Sequence, residues 1–196
     1  MNSLSRLLIL VLLVAAPVGA AAASWQIDPA HASIEFKVRH LMVAWVKGAF
    51  TTVGGSVEID EADLAKSQAR VTIDAASINT NNAKRDEHLR SADFLAVADY
   101  PTITFVSSKV IAADGLPRQL VGELTIRGTT REVTIEIEEL TPPITDPWGN
   151  TRRGATATTE INRRDFGLTW NKALETGGVV VGDEVKIALD IELIRQ

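Results

Sequence analysis

Residues 185–193 decide the fold class, and their sequence is Val185-Lys-Ile-Ala-Leu-Asp-Ile-Glu-Leu193. Successive side chains of a β-strand point to opposite faces, so the apolar residues at the odd positions share one face and Lys186, Asp190 and Glu192 share the other. The stretch therefore predicts a strand with one buried and one solvated face, which is typical of antiparallel sheets.

Seven further stretches predict strands. Five of them alternate as clearly as the first, whereas two weaker ones contain glycines or are rich in Thr and Ala. Turn signals such as Asp114-Gly115 and Asp146-Pro147-Trp148-Gly149 separate the stretches. The clear stretches are residues 34–38, 70–74, 102–105, 120–127 and 132–137, and the weaker ones are residues 48–59 and 151–161.

About eight alternating strands in one domain form either a β-sandwich or a closed β-barrel, and the pattern alone does not choose between them. The absence of a Cys…Trp…Cys core disfavours an immunoglobulin-type sandwich. A closed barrel leaves no exposed strand edge, and Gly54-Gly55 inside a predicted strand suits the bends that barrel corners need.

One segment, from Ala83 to Ala98, has helical character. Its apolar members are Leu89, Phe94, Leu95 and Val97, and Tyr100-Pro101 ends it because the residue before a proline avoids the helical conformation. A second, shorter helical turn is predicted around Glu61 to Lys66.

The N-terminus predicts a cleavable export signal. A positive charge at Arg6, an apolar run over residues 7–16 and the small residues 20–23 follow one another in the order of a signal peptide. The apolar run is too short for a membrane span, which needs about 20 residues, so an uncleaved anchor is the weaker alternative. We expect cleavage after Ala22 or Ala23.

These boundaries give a signal peptide at residues 1–22 and one exported domain at residues 23–196. The full chain has a formal net charge of −5, and loss of Arg6 leaves the domain more acidic. This charge argues against nucleic acid and against anionic membrane surfaces as main partners. We expect a soluble domain without stable membrane insertion, since no second apolar run is long enough to span a bilayer. The chain has no cysteine, which excludes disulfides and a lipidated N-terminal cysteine.

No motif for metal, nucleophilic or nucleotide chemistry stands out. His31, His40 and His88 lack the tight spacing of zinc ligands, so no metal site is predicted. There is no Gly-x-Ser-x-Gly elbow and no glycine-rich phosphate loop, and we expect no cofactor. A Ser/His/Asp triad assembled through space stays an alternative, because geometry defines triads. The densest polar cluster, residues 84–93, is either a solvated helix face or a polar rim for a ligand head group.

Seven short motifs follow one another over essentially all of residues 23–196. They are Trp25-Gln-Ile-Asp28, His31-Ala-Ser-Ile-Glu-Phe-Lys-Val-Arg-His40, Asn81-Asn-Ala-Lys-Arg-Asp-Glu-His-Leu-Arg-Ser-Ala-Asp-Phe-Leu95, Tyr100-Pro-Thr-Ile-Thr-Phe105, Gly122-Glu-Leu-Thr-Ile-Arg-Gly128, Asp146-Pro-Trp-Gly149 and Ile161-Asn-Arg-Arg-Asp-Phe-Gly167. Singly these motifs are weak, but in this order and at these spacings they resemble the YceI-like family of bacterial periplasmic proteins.

The resemblance implies an all-β, lipocalin-like, antiparallel up-and-down barrel of eight strands around an apolar tunnel. Family members are similar in binding polyisoprenoids, isoprenoid quinones or fatty-acid derivatives there. The apolar stripes would then line the tunnel, and the helix would plug or line one barrel end, although the same stripes would also suit an ordinary packed core. The expected ligand-binding residues are Ile34, Phe36, Val38, Phe50, Ile73, Phe94, Ile103, Phe105, Leu124, Ile126, Val133, Ile135, Phe166, Trp170 and Leu189.

Head-group contacts are expected from His40, Arg85 and His88. Arg85 has an alternative role, in which it pins the helix to the barrel or pairs with a carboxylate such as Asp165. The leading hypothesis is a non-catalytic periplasmic protein that carries or stores a long apolar ligand. Its rival is a small periplasmic hydrolase that uses His88 or His40 with a nearby carboxylate. A stress-protective binder without a defined ligand is a third hypothesis, and homodimerisation stays open.

Overall fold

The alternating stretches become the strands of a closed antiparallel barrel in the computed structural model, which describes residues 22–173 and 177–196. Eleven strands and one α-helix are present in these residues. The strands are β1 (Ala23–His40), β2 (Ala44–Phe50), β3 (Val53–Ile59), β4 (Gln68–Asp74), β5 (Ile78–Asn79), β6 (Thr102–Ala113), β7 (Leu116–Ile126), β8 (Thr129–Leu140), β9 (Ile144–Thr145), β10 (Thr151–Asn162) and β11 (Val181–Arg195), and the helix is α1 (Ala83–Arg90).

The barrel has eight positions around its circumference, which confirms the predicted strand number. β2 and β3 occupy one position, because both pair with the long strand β1: β3 with its first half and β2 with its second half. The remaining positions are β4, β6, β7, β8, β10 and β11, and β11 closes the ring on β1 with Leu189 opposite Ile34. The two-residue strands β5 and β9 add no further position, because they pair only with the ends of β2 and β10.

The predicted strand 48–59 is broken into two at Thr51 and Thr52, and its second half contains a glycine at a close backbone approach. The backbone amide of Thr51 donates to the carbonyl of Ser77 and that of Thr52 to the Ser77 hydroxyl, so both residues leave the ladder with β1. At Gly55, φ is 153° and a Cβ atom would lie 2.1 Å from the carbonyl oxygen of Arg70. Only glycine fits so close a backbone approach, which explains its position inside the strand.

The predicted helix 83–98 is too long, because α1 ends at Arg90. Asn82 caps its start by accepting a hydrogen bond from the Arg85 amide, and Ser91 ends it by donating from its amide and its hydroxyl to the His88 carbonyl. The following residues form turns in which Ala96 adopts a left-handed φ of 48°. The predicted turn near residues 61–66 is a single 3-10 turn, Leu64–Lys66, capped by Asp63.

The helix α1 and the turns that follow it, residues 83–95, close one end of the barrel, as predicted for the helix. Leu89 is half-buried and Phe94 and Leu95 are buried against the main hydrophobic core. Arg90 holds this closure by donating to the carbonyls of Ala76 and Ile78. Within residues 22–173 and 177–196, no helix has the length and apolar character that crossing a membrane requires. The predicted signal peptide lies, apart from Ala22, outside the described residues.

Candidate functional site

The barrel interior contains two adjoining apolar cavities. The larger has a volume of about 190 Å³ and lies towards the end closed by α1. The smaller has a volume of about 140 Å³ and lies towards the opposite end, where Ile27, Ile59 and Leu193 contribute to its wall. Four residues line both cavities and so form the partition between them: Val71, Phe105, Ile135 and Leu189.

Period-2 alternation explains why the interior is apolar. On β1, Ile34, Phe36 and Val38 line the larger cavity, whereas Glu35 and Lys37 between them are exposed. The same phase holds around the barrel, so each strand contributes one apolar face to the interior. The structure places all of the expected ligand-binding residues in the wall of the larger cavity except Phe166 and Trp170.

Phe166 and Trp170 lie outside the lining of both cavities. Phe166 ends a 3-10 turn, Arg163–Phe166, and is buried in the main hydrophobic core without lining a cavity. Trp170 packs against the rings of His88 and Phe94, with centroid separations of 4.8 and 5.2 Å. Trp170 therefore packs against the segment that closes this end of the barrel, whereas Phe166 belongs to the core around the cavities.

The larger cavity also has lining residues outside the expected set. Val185 and Ile187 continue the stripe of Leu189, and Leu89 and Leu95 belong to the segment predicted as helix, so their patterns were visible in the sequence. The other additional lining residues are Val71, Ile78, Thr159, Ile161, Arg163, Leu168 and Val181.

Arg163 is a charged residue in this apolar wall, and sequence reasoning missed it. Its side chain is buried, and Nε donates to the Gly182 carbonyl over 2.9 Å. Nη1 donates to the carbonyls of Leu168 and Trp170, and Nη2 donates to Asp183 over 2.9 Å. Burial lowers the pKa of Arg163, while Asp183 opposes that effect. These bonds tie the β10–β11 connection to the barrel and account for a buried cation.

The three head-group candidates are not brought together in one cluster. His40 ends β1 opposite Ala44, at the hairpin that joins β1 to β2. Arg85 donates from Nε to the hydroxyl of Thr80 over 2.7 Å and from Nη2 to its carbonyl over 2.8 Å. Thr80 in turn donates its amide and hydroxyl to the buried carboxylate of Asp86. The expected pairing of Arg85 with Asp165 is absent among the described contacts, because Thr80 engages the guanidinium.

His88 is paired with a carboxylate. Its Nε2 atom lies 2.9 Å from Oδ2 of Asp93, and its ring stands edge-on to Phe94 and Trp170. This is the pair that the hydrolase hypothesis needs. However, it lies at the outer margin of the closing segment, whereas the lining of the larger cavity contains Phe94 but neither His88 nor Asp93.

A separate polar cluster, dispersed in the sequence, lies towards the opposite barrel end. Arg152 donates from Nε to Asp146 over 2.6 Å and from Nη1 to Asp28 over 2.7 Å and to Glu192. The hydrogen bonds to Asp146, Asp28 and Glu192 raise the pKa of Arg152. Burial by itself would raise the pKa of Asp146. The hydrogen bonds from Asn150 and Arg152 nevertheless hold the pKa of Asp146 well below its usual range.

His31 completes this cluster through Nδ1, which lies 3.0 Å from Oδ2 of Asp28. The hydrogen bonds from His31 and Arg152 lower the pKa of Asp28 to about 2. The hydrogen bond between His31 and Asp28 also raises the pKa of His31. Asp28, His31 and Glu192 bring their ligand atoms within 4.8 Å of one another. Arg152 already bonds to both carboxylates, so the arrangement is that of an ion-pair network.

Three comparisons with known proteins agree with this architecture. The family model described as the YceI-like domain matches residues 25–193. A UPF0312 protein of Vibrio parahaemolyticus is 40% identical over 161 residues, covering 81% of this chain and 85% of that protein. The crystal structure of Burkholderia cenocepacia BcnA has a TM-score of 0.73 and 25% identity, covering 85% of this chain and 98% of that one.

A more distant structural neighbour has a stated ligand class. It is a polyisoprenoid binding domain from Saccharophagus degradans, implicated in plant cell wall breakdown. Its TM-score is 0.62 at 16% identity, over 89% of this chain and 99% of that one. At that identity the likeness concerns the fold alone.

Proposed function

This chain belongs to the YceI-like domain family, and from that premise we propose that it binds a long apolar chain inside its barrel. The ligand class is a polyisoprenoid, an isoprenoid quinone or a fatty-acid derivative. The protein carries or stores this ligand and performs no chemistry on it. The polyisoprenoid-binding description of the Saccharophagus degradans domain supports the ligand class through the shared fold.

The unfilled apolar space in the barrel is the observation that carries this proposal. Protein interiors normally pack as densely as organic crystals, with few voids larger than a water molecule. Here two cavities of about 190 and 140 Å³ adjoin inside one barrel. Apolar cavities of about 150 Å³ stay dry and accept apolar guests. The space therefore favours a hydrocarbon over water or a polar substrate.

The partition between the cavities determines how a long chain fits. Pockets for drug-sized ligands usually enclose about 300–1,000 Å³, so neither cavity alone accommodates such a ligand. Four residues line both cavities, and Phe105 is the largest of them. We infer that ligand entry displaces the Phe105 ring and joins the two cavities into one tunnel.

The energetics suit a chain rather than a compact molecule. Burial of one methylene contributes about 0.8 kcal/mol, so ten methylenes contribute about 8 kcal/mol before association costs of several kcal/mol. A polyisoprenoid tail has more carbons than that. Micromolar affinity is therefore reached without a charged contact, and a head group at the closed end adds to it.

We place this binding function in the periplasm, after removal of residues 1–22. Strand β1 starts at Ala23, which is in register with Ile59 of β3. Cleavage after Ala22 keeps β1 whole, which favours Ala23 as the first residue of the exported protein.

Hydrolysis is the less favoured function, although His88 and Asp93 form a pair. The His88 Nε2 atom is directed to Asp93, and neither side chain lines the apolar interior where a long substrate would lie. A general base must reach the proton that it abstracts in a plausible substrate pose. Binding therefore accounts for more of the structure than catalysis does.

Calorimetric titration of delipidated protein with isoprenoid alcohols of increasing length tests the proposal. Each added methylene inside the barrel should tighten binding about fourfold until the tunnel is full. Geranylgeraniol should therefore bind far more tightly than geraniol. Equal affinity for both alcohols, or no binding of either, would contradict the proposal.

A further inference from the structure

The hairpin that joins β1 to β2 exposes an apolar tip, which consists of Leu41, Met42, Val43 and Trp45. Met42 exposes 55% and Val43 exposes 78% of its surface, and Leu41 and Trp45 are also exposed. Single exposed apolar residues are ordinary, but a contiguous group of large ones marks an interaction site. The tip is therefore a candidate contact surface.

The backbone of the tip supports this interpretation. Leu41 and Met42 adopt left-handed φ values of 51° and 59°. Hairpin turns with two such residues usually contain Asn-Gly or Asp-Gly, because large side chains are strained there. Residues kept in this region against their preference cluster at functional sites. Here bulky apolar side chains occupy a turn that glycine would form more easily.

Cations surround the tip although the chain is acidic as a whole. The guanidinium carbon of Arg39 lies 4.1 Å and Nζ of Lys37 lies 5.5 Å from the centre of the Trp45 ring. Lys37 lies directly opposite Lys47 on β2, an arrangement of like charges that destabilises a sheet. Residues 36–57 contain no Asp or Glu, although Glu35 and Glu160 lie beside Lys37 and Lys47 in a surface depression. The β1–β2 hairpin itself is therefore basic.

The tip lies beside the larger cavity. Val38, three residues before the tip, lines that cavity, and so does Val181 at the start of β11. The amide of Leu41 donates to the carbonyl of Val180 over 2.8 Å, which fixes the tip against the β10–β11 connection. A surface that engaged the tip would face the end of the barrel where the larger cavity is found.

We propose that this tip docks the protein on the surface of an anionic lipid bilayer. Leu41, Met42 and Val43 enter the interface, and Trp45 lies at head-group level, where tryptophan is enriched in membrane proteins. Lys37, Arg39 and Lys47 contact the lipid phosphates. The docking is peripheral and reversible. It goes beyond ligand binding in the barrel and does not depend on it.

The overall acidity of the chain does not oppose this docking. At physiological ionic strength, exposed charges more than about 8 Å apart are largely screened. A membrane in contact with the tip therefore interacts mainly with the charges of the β1–β2 hairpin. The same charges disfavour a second copy of this chain as the occupant. Two tips in contact would bring Lys37, Arg39 and Lys47 of both copies together, and residues 36–57 of neither copy contain an acid.

Co-sedimentation with lipid vesicles tests the proposal on the purified protein. The vesicles contain either phosphatidylglycerol with phosphatidylethanolamine or phosphatidylcholine alone. The wild-type protein should bind the anionic vesicles at low salt, and the Val43→Glu variant should bind them at least tenfold more weakly. The matched control is Ile144→Glu near the opposite end, where Ile144 exposes 64% of its surface. This control should bind as the wild type does.

A double variant, Lys37→Gln with Lys47→Gln, tests the electrostatic part. Each basic residue near an anionic surface strengthens binding about fivefold, so the variant should lose about 25-fold on anionic vesicles. It should retain wild-type binding to phosphatidylcholine vesicles and wild-type affinity for an isoprenoid alcohol. Unchanged isoprenoid affinity separates this proposal from the one on the barrel interior.

The absence of cysteine allows the site of contact to be located. An environment-sensitive fluorophore on Val43→Cys should shift to the blue with anionic vesicles, and the same label on Ile144→Cys should not. Three results would overturn the proposal: no vesicle binding by wild type, equal binding by Val43→Glu, or equal shifts at both labels. A concentration-dependent dimer that Val43→Glu abolishes, without vesicle binding, would assign the tip to self-association instead.

Discussion

The guanidinium of Arg152 donates from Nη1 to Oδ2 of Asp28 over 2.7 Å, joining residues that are 124 positions apart in the chain. β10 carries Arg152, and Asp28 lies on β1, the first strand of the barrel. Because β11 lies between these strands, the bond crosses β11, on which Glu192 accepts from the same nitrogen. The network therefore holds the closing strands of the barrel together.

Replacement of Arg152 by Met should destabilise the protein strongly, because Asp28, Asp146 and Glu192 would lose a shared cation while remaining close together. The measurement is the midpoint of urea denaturation. Arg118→Met is the matched control, since Arg118 lies on the surface with a single contact to Asp114 at 3.8 Å. Equal effects of the two substitutions would show that the Arg152 network contributes no more than a surface ion pair.

A low pH should reduce the free energy of unfolding, because Asp28 becomes protonated. Its pKa is lowered from 3.8 to about 2, mainly by the hydrogen bonds from His31 and Arg152. A lowered pKa means that the contribution is complete above pH 3.8 and is lost as the pH falls towards 2. Urea denaturation at pH 5 and pH 2 should show a smaller loss for Asp28→Asn than for wild type. An equal loss would contradict the role of Asp28.

Phe105→Ala should join the two cavities and destabilise the fold by about 3–5 kcal/mol, the usual cost of removing a buried phenylalanine. Phe105 is buried and lines both cavities. The variant should bind isoprenoid alcohols with a faster association rate if the Phe105 ring obstructs entry. The unfolding free energy and stopped-flow binding kinetics measure the two effects. An unchanged association rate would show that Phe105 does not control access.

Two aspartate substitutions test the direction of side chains on β6. Phe105→Asp should abolish ligand binding, because an unpaired carboxylate in an apolar tunnel is costly. Thr104→Asp should be tolerated, since Thr104 lies opposite Thr72 and Thr125 on the outer face. Binding is measured on protein that is folded by circular dichroism. Equal behaviour of the two variants would contradict the inward orientation of Phe105.

Arg85→Met should lower the free energy of unfolding by about 2 kcal/mol and leave ligand affinity unchanged. Its guanidinium holds the Thr80 carbonyl and hydroxyl, and the loss of charged hydrogen bonds has a cost of this size. Lys84→Met, on the exposed face of α1, is the control and should alter neither quantity. Reduced affinity at unchanged stability would assign Arg85 to the ligand head group instead.

The strands and their inward faces could be predicted because a barrel strand has one buried and one solvated side. Apolar and polar residues therefore alternate along its sequence. Alternation alone does not predict closure, since the pairing of Ile34 with Leu189 is a long-range contact without a local signal. The closed barrel was expected only from the resemblance to the YceI-like family. The helix was extended too far because Leu89, Phe94 and Leu95 fit a helical spacing. Its end depends on the bonds of Ser91 to the His88 carbonyl.

The charged parts of the site were the hardest to foresee. Arg163 lies in an apolar wall, and the groups that satisfy it are mainly backbone carbonyls brought there by the β10–β11 connection. The residue types in a sequence do not show where backbone carbonyls lie in the fold. The partners of Arg152 are likewise dispersed along the chain, so only the folded barrel reveals the network.

Native mass spectrometry of the protein, purified without detergent from the cells that produce it, tests the central claim most directly. The claim is that a long apolar chain occupies the barrel interior. We expect wild-type protein to retain a mass adduct that organic extraction identifies as a lipid or isoprenoid. Thr104→Asp should retain the same adduct, and folded Phe105→Asp should lack it. Wild-type protein at its bare polypeptide mass, which also fails to take up a polyprenyl ligand in solution, would contradict the claim.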